Sequence, residues 1–418
     1  MTMPIKHIAM LSTHGYFDPI PLLGQTDTGG QVLYVLELAK AFARKGIKVD
    51  IFTRWFDKSR RQVDPVEGYP GVRVIRIPAG PWQFVIKEEI YPLLPELTSN
   101  LAAWIRESGV EYDLYHGHYV DAGIITIEMA RMTGKPGYFT AHSLGAWKRE
   151  RMAGNPEEME KQFNFRHRIN EETRIYHTLN GHSVTSVLQL EKLRELYGYN
   201  KDNVEIIPPG VNIHKFHPLG PGEAPVKTYL PSKYIFCLSR VDTNKGYDLL
   251  LNAFARVCKE HDDVYLVTGG GSAHPEPREK EVLDMMERIM QEKGITDKIV
   301  FVGHVNEQLM VPFYQNAQFF VMPSIFEPFG MTCQESMSCG VPVIASRFGG
   351  IRTVLTDRHD GLLIDPQDEE EFAGAMIRLL EDADFRDELG ARACKLVREH
   401  YSWEVMADRH LEFYEKYC

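Results

Sequence analysis

The most specific chemical pattern in the sequence is a pair of glutamates, Glu327 and Glu335, separated by seven residues that include Pro328-Phe329-Gly330. We expect Glu327 in the loop after a strand at 319–322 and Glu335 about one turn into the next helix. Carboxylates in these places can accept hydrogen bonds from the hydroxyl groups of a sugar. A turn or a helix cap explains one acid easily but does not explain the whole string.

A second pattern, Ser239–Gly246, places Arg240 and Lys245 five residues apart in a turn that ends in glycine. It follows the first predicted strand of the second half of the chain. Two fixed cations in that position could neutralise the charge of a diphosphate leaving group. The segment lacks the Walker A pattern, which excludes a P-loop.

The first half of the chain contains a glycine-rich helix start, Asp27-Thr28-Gly29-Gly30-Gln31. Adjacent glycines allow a ligand to approach the backbone closely, and the N–H groups at the start of a helix favour a phosphate or a charged transition state. Taken alone, the same string is explained about equally well as a turn that only begins a helix.

His142 directly follows a predicted strand at 137–141, so we expect its side chain among the ligand-binding residues. A histidine in that position can also simply cap the next element. His14, His116 and His118 lie in similar positions and raise the alternative of a metal site. They lack a recognised ligand spacing and an accompanying carboxylate pair, so the sequence predicts no bound metal.

A cluster of basic side chains is the last candidate feature of the first half. Its members are Lys148, Arg149, Arg151, Arg166, His167 and Arg168, with Lys87 after the turn that follows another strand. Charge runs are usually solvated helix faces. This chain is acidic overall, however, so local basic density needs a reason, and a phosphate group on a small acceptor is one candidate.

Short apolar runs alternate with longer helical patterns in both halves of the chain, which predicts parallel sheets covered by helices. The predicted strands are 8–11, 49–53, 72–77, 137–141, 235–239, 264–268, 299–302, 319–322 and 343–345. The predicted helices are 31–45, 95–108, 247–260, 278–293, 332–338 and 369–382. The pattern restarts after a break near 206–211, so we predict two doubly wound domains. In such sheets ligands bind beyond the carboxyl ends of the strands, and the expected site is the cleft between the domains.

Composition limits the class of protein. The chain has 418 residues, 47 Lys and Arg against 58 Asp and Glu, and a net charge of −11. An acidic surface repels phosphate backbones, which argues against a general nucleic-acid-binding protein. The sequence has no apolar run long enough to span a membrane and no signal-peptide pattern, and its six cysteines suit neither a zinc site nor a disulfide framework. A cytoplasmic location without membrane association is the simplest interpretation.

The segments Ser239–Gly246 and Glu327–Glu335 together resemble the retaining glycosyltransferases of the GT-B fold. Four segments of the first half narrow the resemblance to sucrose-phosphate synthase and mannosylfructose-phosphate synthase: Ser12–Tyr16, Asp27–Gln31, His142–Gly145 and Asn164–Ile169. The resemblance implies an α/β fold of two Rossmann-like domains facing across a cleft. It implies an acceptor-binding domain at 1–210 with a C-terminal helix at 402–418 that crosses back to it, and a nucleotide-sugar-binding domain at 211–401.

The resemblance also implies a role for each matching residue. It implies catalytic roles for His142, Arg240, Lys245 and Glu327. It implies donor-binding roles for Gly30, Gly303, Phe329, Gly330, Met331, Thr332 and Glu335. It implies acceptor-binding roles for Gln31, Lys87, Lys148, Arg166 and Arg168.

The implied reaction transfers a hexosyl group from UDP-glucose or GDP-mannose to fructose 6-phosphate. The sequence leaves the choice of donor open. We expect that no cofactor is required, that Mg²⁺ can stimulate the reaction, and that a separate sugar phosphatase acts downstream; the sequence leaves the dependence on Mg²⁺ open. Another acceptor on the same fold and a non-catalytic sugar-phosphate sensor are the alternatives.

Overall fold

A computed structural model describes residues 5–20, 29–152, 154–220, 222–224, 226–272, 275, 277–325 and 327–418. The chain divides into two compact units, one comprising residues 1–208 and 403–418 and the other comprising residues 209–402. Each unit has a sheet of its own, covered by helices, so the structure has the α/β architecture of two Rossmann-like units.

The first unit is built on a sheet with the strand order β3-β4-β2-β1-β5-β6-β7-β8. Its strands are β1 (His7–Leu11), β2 (Lys48–Trp55), β3 (Val63–Val66), β4 (Tyr69–Pro78), β5 (Leu114–His118), β6 (Gly137–Thr140), β7 (Gly181–Val184) and β8 (Val204–Ile206). All described neighbours pair in parallel except β3, which pairs antiparallel with β4 at the edge. The central strand β1 is almost wholly buried because helices cover both of its faces.

The helices of the first unit connect these strands. They are α1 (Gly30–Arg44), α2 (Leu94–Ser108), α3 (Val120–Thr133), α4 (Gly145–Arg151), α5 (Pro156–Phe163), α6 (Phe165–Thr178) and α7 (Val187–Tyr197). Helix α1 shows why they form: Val32, Val35, Leu36 and Ala39 recur at helical spacing and are all buried against the sheet.

The strand order of the first unit reverses between β1 and β5, because the chain first adds β2 and β4 on one side and then β5 to β8 on the other. Loops that leave the carboxyl ends of two strands at such a point diverge and leave room for a ligand. Segments that follow β1 and β5 therefore define the region of the first unit where a site is expected.

The second unit has a fully parallel sheet with the order β11-β10-β9-β12-β13-β14. Its strands are β9 (Tyr234–Leu238), β10 (Tyr265–Gly269), β11 (Ile299–Gly303), β12 (Phe319–Met322), β13 (Val343–Ser346) and β14 (Leu362–Ile364). Its helices are α8 (Tyr247–Glu260), α9 (Pro277–Lys293), α10 (Glu307–Gln315), α11 (Met331–Ser338), α12 (Glu369–Glu381) and α13 (Ala383–His400). The order reverses between β9 and β12, which places the loops after these two strands together.

The last helix, α14 (Trp403–Lys416), belongs to the first unit although it follows the second in sequence. It packs against α1, with Lys45 paired to Asp408 and Arg44 to Glu404. Its buried side contributes His410 and Tyr414 to the interior of the first unit. This arrangement confirms the predicted return of the C-terminal helix to the first half of the chain.

Candidate functional site

The loops after β9 and β12 meet in the second unit. The backbone N–H of Ile325 donates to the carbonyl oxygen of Asn244 at 3.0 Å. Lys245 Nζ lies 2.6 Å from Glu327 Oε2, and the Lys245 side chain is only 7% exposed. The structure therefore pairs two residues that the sequence places in separate motifs, 82 positions apart.

Local geometry fixes the position of Lys245. It ends a short 3₁₀ turn, Thr243–Lys245, whose first N–H donates to the side chain of Asp242. Gly246 follows with φ +69°, and a Cβ there would lie 2.4 Å from the carbonyl oxygen of Pro323. Only glycine allows the two loops to approach this closely.

Glu335 lies on the buried side of α11, where it accepts a 2.8 Å hydrogen bond from the hydroxyl of Tyr314. Burial raises the pKa of Glu335 from 4.5 to about 7, although the Tyr314 bond opposes the shift. The carboxyl group is therefore poised between its neutral and ionised forms near neutral pH.

Helix α11 begins with an uncapped turn. Gly330 precedes it with φ +98° and provides no capping side chain, and the first turn of the helix, Met331 onward, has no acidic residue. A Cβ on Gly330 would lie 2.5 Å from the Met322 Cε. Phe329 is buried, whereas Met331 and Thr332 are partly exposed in the first turn. Unpaired N–H groups at the start of a helix can bind an anion such as a phosphate.

Two further predicted residues of the second unit lie at the carboxyl ends of strands. Arg240 follows β9 with an exposed side chain that makes no hydrogen bond or ion pair with the described residues. Gly303 ends β11 with φ +63°, and its carbonyl oxygen accepts a 2.7 Å bond from the N–H of Gly270.

In the first unit, β5 brings Gln31 and His142 together through His118. The Gln31 amide nitrogen lies 3.2 Å from both the Ser12 hydroxyl and the His118 carbonyl oxygen. His142 Nε2 lies 3.0 Å from His118 Nδ1. Gly30 is exposed at the first position of α1, whereas Asp27 and Thr28 of the same motif lie outside the described residues.

His142 occupies a strained and partly buried position. Its φ of +57° is left-handed, a conformation that non-glycine residues rarely adopt. Its ring packs edge-on against Tyr34 at 4.8 Å between centroids. Burial lowers the pKa of His142 to about 3, and His14 and His410 add to the effect. The imidazole is therefore neutral at physiological pH.

Arg168 is buried and engaged by its own unit. Its guanidinium donates to Glu172 through Nε at 2.8 Å and to the Ser143 carbonyl oxygen through Nη2 at 2.8 Å. It also lies 4.5 Å from the centroid of the Tyr119 ring. Ser143 follows His142 directly, so Arg168 joins the group formed by Gln31, His118 and His142.

The other predicted basic residues lie on three separate segments. Lys87, between β4 and α2, has its ammonium 3.4 Å from a Glu88 oxygen. Lys148, on α4, has its ammonium 4.4 Å from the centroid of the Phe163 ring. Arg166 is exposed in the first turn of α6, and its backbone N–H donates to Glu160.

A histidine–aspartate pair was not among the predicted site residues. His14 Nδ1, after β1, lies 3.0 Å from the Asp121 carboxylate at the start of α3, and both side chains are buried. Thr13 also donates to Asp121 through its hydroxyl group. The available signal was the string His116–Asp121, which places two histidines and a carboxylate around one strand end. Sequence spacing alone did not show that the Asp121 partner would be His14.

Two general features bear on the chemistry. Within the part of the chain that the structure describes, no group of three or more His, Cys, Asp or Glu side chains could hold a metal ion. None of the described helices is both long enough and apolar enough to cross a membrane.

Nearly the whole chain is similar in sequence to known proteins. A family model for glycosyl transferases group 1 matches residues 224–396, and a model for glycosyltransferase family 4 matches residues 28–215. Mannosylfructose-phosphate synthase of Agrobacterium fabrum is 32% identical over 98% of this chain and 91% of its own length. The chain belongs to the GT-B glycosyltransferase family that contains this synthase.

Other members of the group support this assignment. A solved structure of sucrose-phosphate synthase from Thermosynechococcus elongatus superimposes with a TM-score of 0.83 and 29% identity, covering 98% of both chains. D-inositol 3-phosphate glycosyltransferase of Xylanimonas cellulosilytica is 31% identical over 97% of this chain and 96% of its own length. This GT-B protein is therefore an enzyme, and the predicted fold and enzyme class are confirmed.

Proposed function

We propose that this glycosyltransferase transfers a hexosyl group, with retention of configuration, from UDP-glucose or GDP-mannose to fructose 6-phosphate. The observation that carries the proposal is the similarity of nearly the whole chain to mannosylfructose-phosphate synthase and sucrose-phosphate synthase. The product would be mannosylfructose phosphate or sucrose 6-phosphate, which a separate phosphatase would then dephosphorylate.

The second unit would bind the donor. Arg240 and Lys245 would bind the diphosphate, with the first N–H groups of α11 at Met331 and Thr332 beside them. In support, Lys245 is nearly buried, where a positive charge acts strongly on a nearby anion.

The remaining donor contacts would come from four residues. Glu327 would hold the sugar, and Glu335 would hold the ribose hydroxyls. Phe329 and Gly330 would shape the backbone around the donor phosphates. Gly303 would border the base.

The first unit would bind the acceptor. Lys87, Lys148, Arg166 and Arg168 would recognise its phosphate, and Gly30 and Gln31 would lie between the acceptor and the donor phosphates. Arg168 is held by Glu172 and Ser143, so its guanidinium would meet the acceptor in a fixed orientation. A preoriented planar cation suits a phosphate better than a flexible one.

The chemistry follows from charge development. As the diphosphate leaves, positive charge grows on the anomeric carbon and negative charge grows on the departing oxygen. Arg240 and Lys245 would stabilise the leaving group, which is the type of preorganised electrostatics that often dominates catalysis. The leaving phosphate would take the proton of the acceptor hydroxyl, and the acceptor oxygen would attack the anomeric carbon on the face from which the phosphate leaves. Attack on this face retains the configuration. His142, neutral and directly beside Ser143, would contact the donor sugar.

A second acceptor has specific support. Several D-inositol 3-phosphate glycosyltransferases are 29–31% identical over 90–99% of this chain. An inositol phosphate and fructose 6-phosphate share a phosphate group and several hydroxyl groups. The basic side chains of the first unit suit either of them.

An initial-rate matrix tests the proposal. UDP-glucose, GDP-glucose, ADP-glucose and GDP-mannose are each combined with fructose 6-phosphate, fructose and inositol 3-phosphate, and the product anomer is read by NMR. We expect turnover with UDP-glucose or GDP-mannose and fructose 6-phosphate, with a retained anomer. Turnover only with inositol 3-phosphate would establish the second acceptor. Equal use of fructose, or no turnover with any pair, would overturn the proposed acceptor.

A further inference from the structure

His118 is a fully buried side chain on β5 whose two ring nitrogens differ in surroundings. Nδ1 lies 3.0 Å from Nε2 of His142. Nε2 has no hydrogen-bond partner among the described residues, although water cannot reach it. Buried polar atoms without partners are uncommon. The unpartnered Nε2 therefore helps to decide which nitrogen of His118 carries the proton.

Burial lowers the pKa of His118 well below its ordinary value and that of His142 to about 3, so both rings are neutral. A hydrogen bond between two neutral imidazoles needs one N–H and one lone pair. If His142 were the donor, His118 would carry its only proton on Nε2, where a buried N–H would have no acceptor. If His118 donates from Nδ1, its Nε2 is a bare lone pair. An orphaned buried N–H is the rarer defect, which favours donation from His118.

We propose that His118 is a positioning residue that fixes His142 as the tautomer protonated on Nδ1. In this form His142 accepts at Nε2 the hydrogen bond that His118 Nδ1–H donates, and it carries its own N–H at Nδ1. It can donate a hydrogen bond to a hydroxyl oxygen of the donor sugar, but it has no free lone pair with which to act as a general base. The role assigned to the N–H rests on the proposed function, whereas the tautomer assignment rests on the contacts of His118 and on the neutrality of both rings.

The surroundings of His118 hold its ring in one orientation. His116 packs on it at 4.2 Å between ring centroids. Both nitrogens of His116 are already engaged, Nδ1 with the Tyr414 hydroxyl at 2.7 Å and Nε2 with the Thr140 hydroxyl at 2.8 Å. His116 therefore offers nothing to the bare nitrogen of His118. Gln31 binds the His118 carbonyl oxygen and anchors the end of the strand.

Nitrogen-15 NMR of the histidine-labelled full-length protein without substrates tests the tautomer. The His142 resonance is identified by its loss in His142→Asn. We expect its Nδ1 in the protonated range and its Nε2 in the unprotonated range at pH 7. The opposite pattern in the unaltered protein would overturn the inference, and this measurement needs no variant of His118.

Substitution of His118 supplies the functional test. Asn at position 118 keeps an amide N–H close to the position of Nδ1, whereas Leu removes the donor. We expect His118→Leu to mix the two His142 tautomers. It should lower kcat on the order of 10²-fold with little change in donor KM, because the Nδ1–H of His142 that contacts the donor sugar is then misplaced. His118→Asn should restore most of both properties.

His182→Asn is the matched control, since His182 is also a fully buried neutral histidine of the first unit with one bonded and one unpartnered ring nitrogen. It should leave the His142 tautomer and kcat unchanged. Equal loss of kcat in His118→Asn and His118→Leu, with an unmoved tautomer, would show a packing role only. If every substrate pair were inactive, the proposed function would fail while the NMR result still decided the tautomer.

Discussion

Lys245 and Glu327 form an ion pair in which both charges are largely shielded from water, with side chains 7% and 19% exposed. Such a pair is costly to break on one side, because the remaining charge stays in a region of low polarity. A diphosphate would offer Lys245 a second anionic partner. If Lys245 binds the diphosphate as proposed, the stability of the second unit and nucleotide binding are coupled at this one side chain.

This coupling gives the first prediction. Glu327→Gln should lower the melting temperature, because buried Lys245 loses its counter-charge, at a cost of about 1–3 kcal/mol. UDP or GDP should then raise the melting temperature of the variant by more than that of the unaltered protein. Thermal melts with and without nucleotide measure both effects. Asp263→Asn, which breaks the exposed Lys233–Asp263 pair of the same unit, is the control and should change neither.

Glu335 gives a prediction about pH. Because burial raises its pKa from 4.5 to about 7, the folded protein retains a proton that the unfolded chain loses between these values. Stability therefore falls as pH rises through this window. The loss amounts to on the order of 2 kcal/mol between pH 5 and pH 8.

Glu335→Gln cannot ionise and should lack this loss, so its stability relative to the unaltered protein should rise with pH. Unfolding in urea at pH 5, 6.5 and 8 measures the difference, in which the other titrating groups cancel. A difference independent of pH would show that Glu335 is already ionised at pH 5. In Tyr314→Phe, which removes the hydroxyl that donates to Glu335, the loss should extend to higher pH.

At the scale of elements, side chains of helix α14 bond and pack against the residues that surround His116, His118 and His142. The Tyr414 hydroxyl bonds His116 Nδ1 at 2.7 Å, and the Tyr34 hydroxyl lies 3.1 Å from His410 Nε2. Tyr34 in turn packs on His142. Side chains of the last helix thus set the environment of the proposed donor-sugar contact within one unit.

Removing one of these bonds should be measurable. Tyr414→Phe leaves His116 Nδ1 buried without its partner and should destabilise the first unit by about 1–3 kcal/mol. Tyr417→Phe removes a hydroxyl just beyond the same helix that bonds Asp202 and Glu205 near the surface, and it should have a much smaller effect. Calorimetric unfolding of both variants compares the two. Equal destabilisation would show that the buried network contributes nothing of its own.

Helix α8 and strand β5 show which elements the sequence predicts and which it does not. Helix α8 was predicted at Tyr247–Glu260 and is observed there, because its apolar residues recur at helical spacing. Strand β5, Leu-Tyr-His-Gly-His, was not predicted, since histidine is not typical of an apolar run. Its two histidines are buried because ring nitrogens pair with Tyr414, Thr140 and His142. Those pairings join residues 24 to 298 positions apart, which no local pattern encodes.

The residue types in the loops of the second unit were more predictable than the contacts between those loops. The glycines, the acidic pair and the cations after β9 predicted where the proposed donor-binding motifs lie, because each motif needs a particular residue type at a strand end. Their geometry still required the fold: Lys245 meets Glu327 only because the strand order reverses between β9 and β12. Arg168 shows the limit, since its basic character was evident while its burial against Glu172 and Tyr119 was not.

At the scale of the whole molecule, the chain passes between the units twice, at 208–209 and at 402–403. The proposed donor-binding residues Arg240, Lys245, Glu327 and Glu335 all belong to the second unit. The proposed acceptor-binding lysines and arginines all belong to the first. If the second unit binds the nucleotide and the first unit binds the acceptor phosphate, a substitution among one set of charged side chains should leave equilibrium binding by the other set intact.

Two alanine substitutions test this division with matched chemistry, since each removes one ammonium group. Lys245→Ala should weaken UDP or GDP binding by about 10- to 150-fold, which corresponds to a lost charge-assisted bond of about 1.5–3 kcal/mol. Lys148→Ala should leave that binding unchanged and raise the KM for the phosphorylated acceptor by a similar factor. Calorimetric titration with the nucleotide and initial rates against acceptor concentration separate the two effects. Weaker nucleotide binding by Lys148→Ala would contradict the division, because a lysine on α4 would then contribute to both substrates. An unchanged acceptor KM would instead remove Lys148 from the phosphate site and leave Lys87, Arg166 and Arg168 to recognise the acceptor.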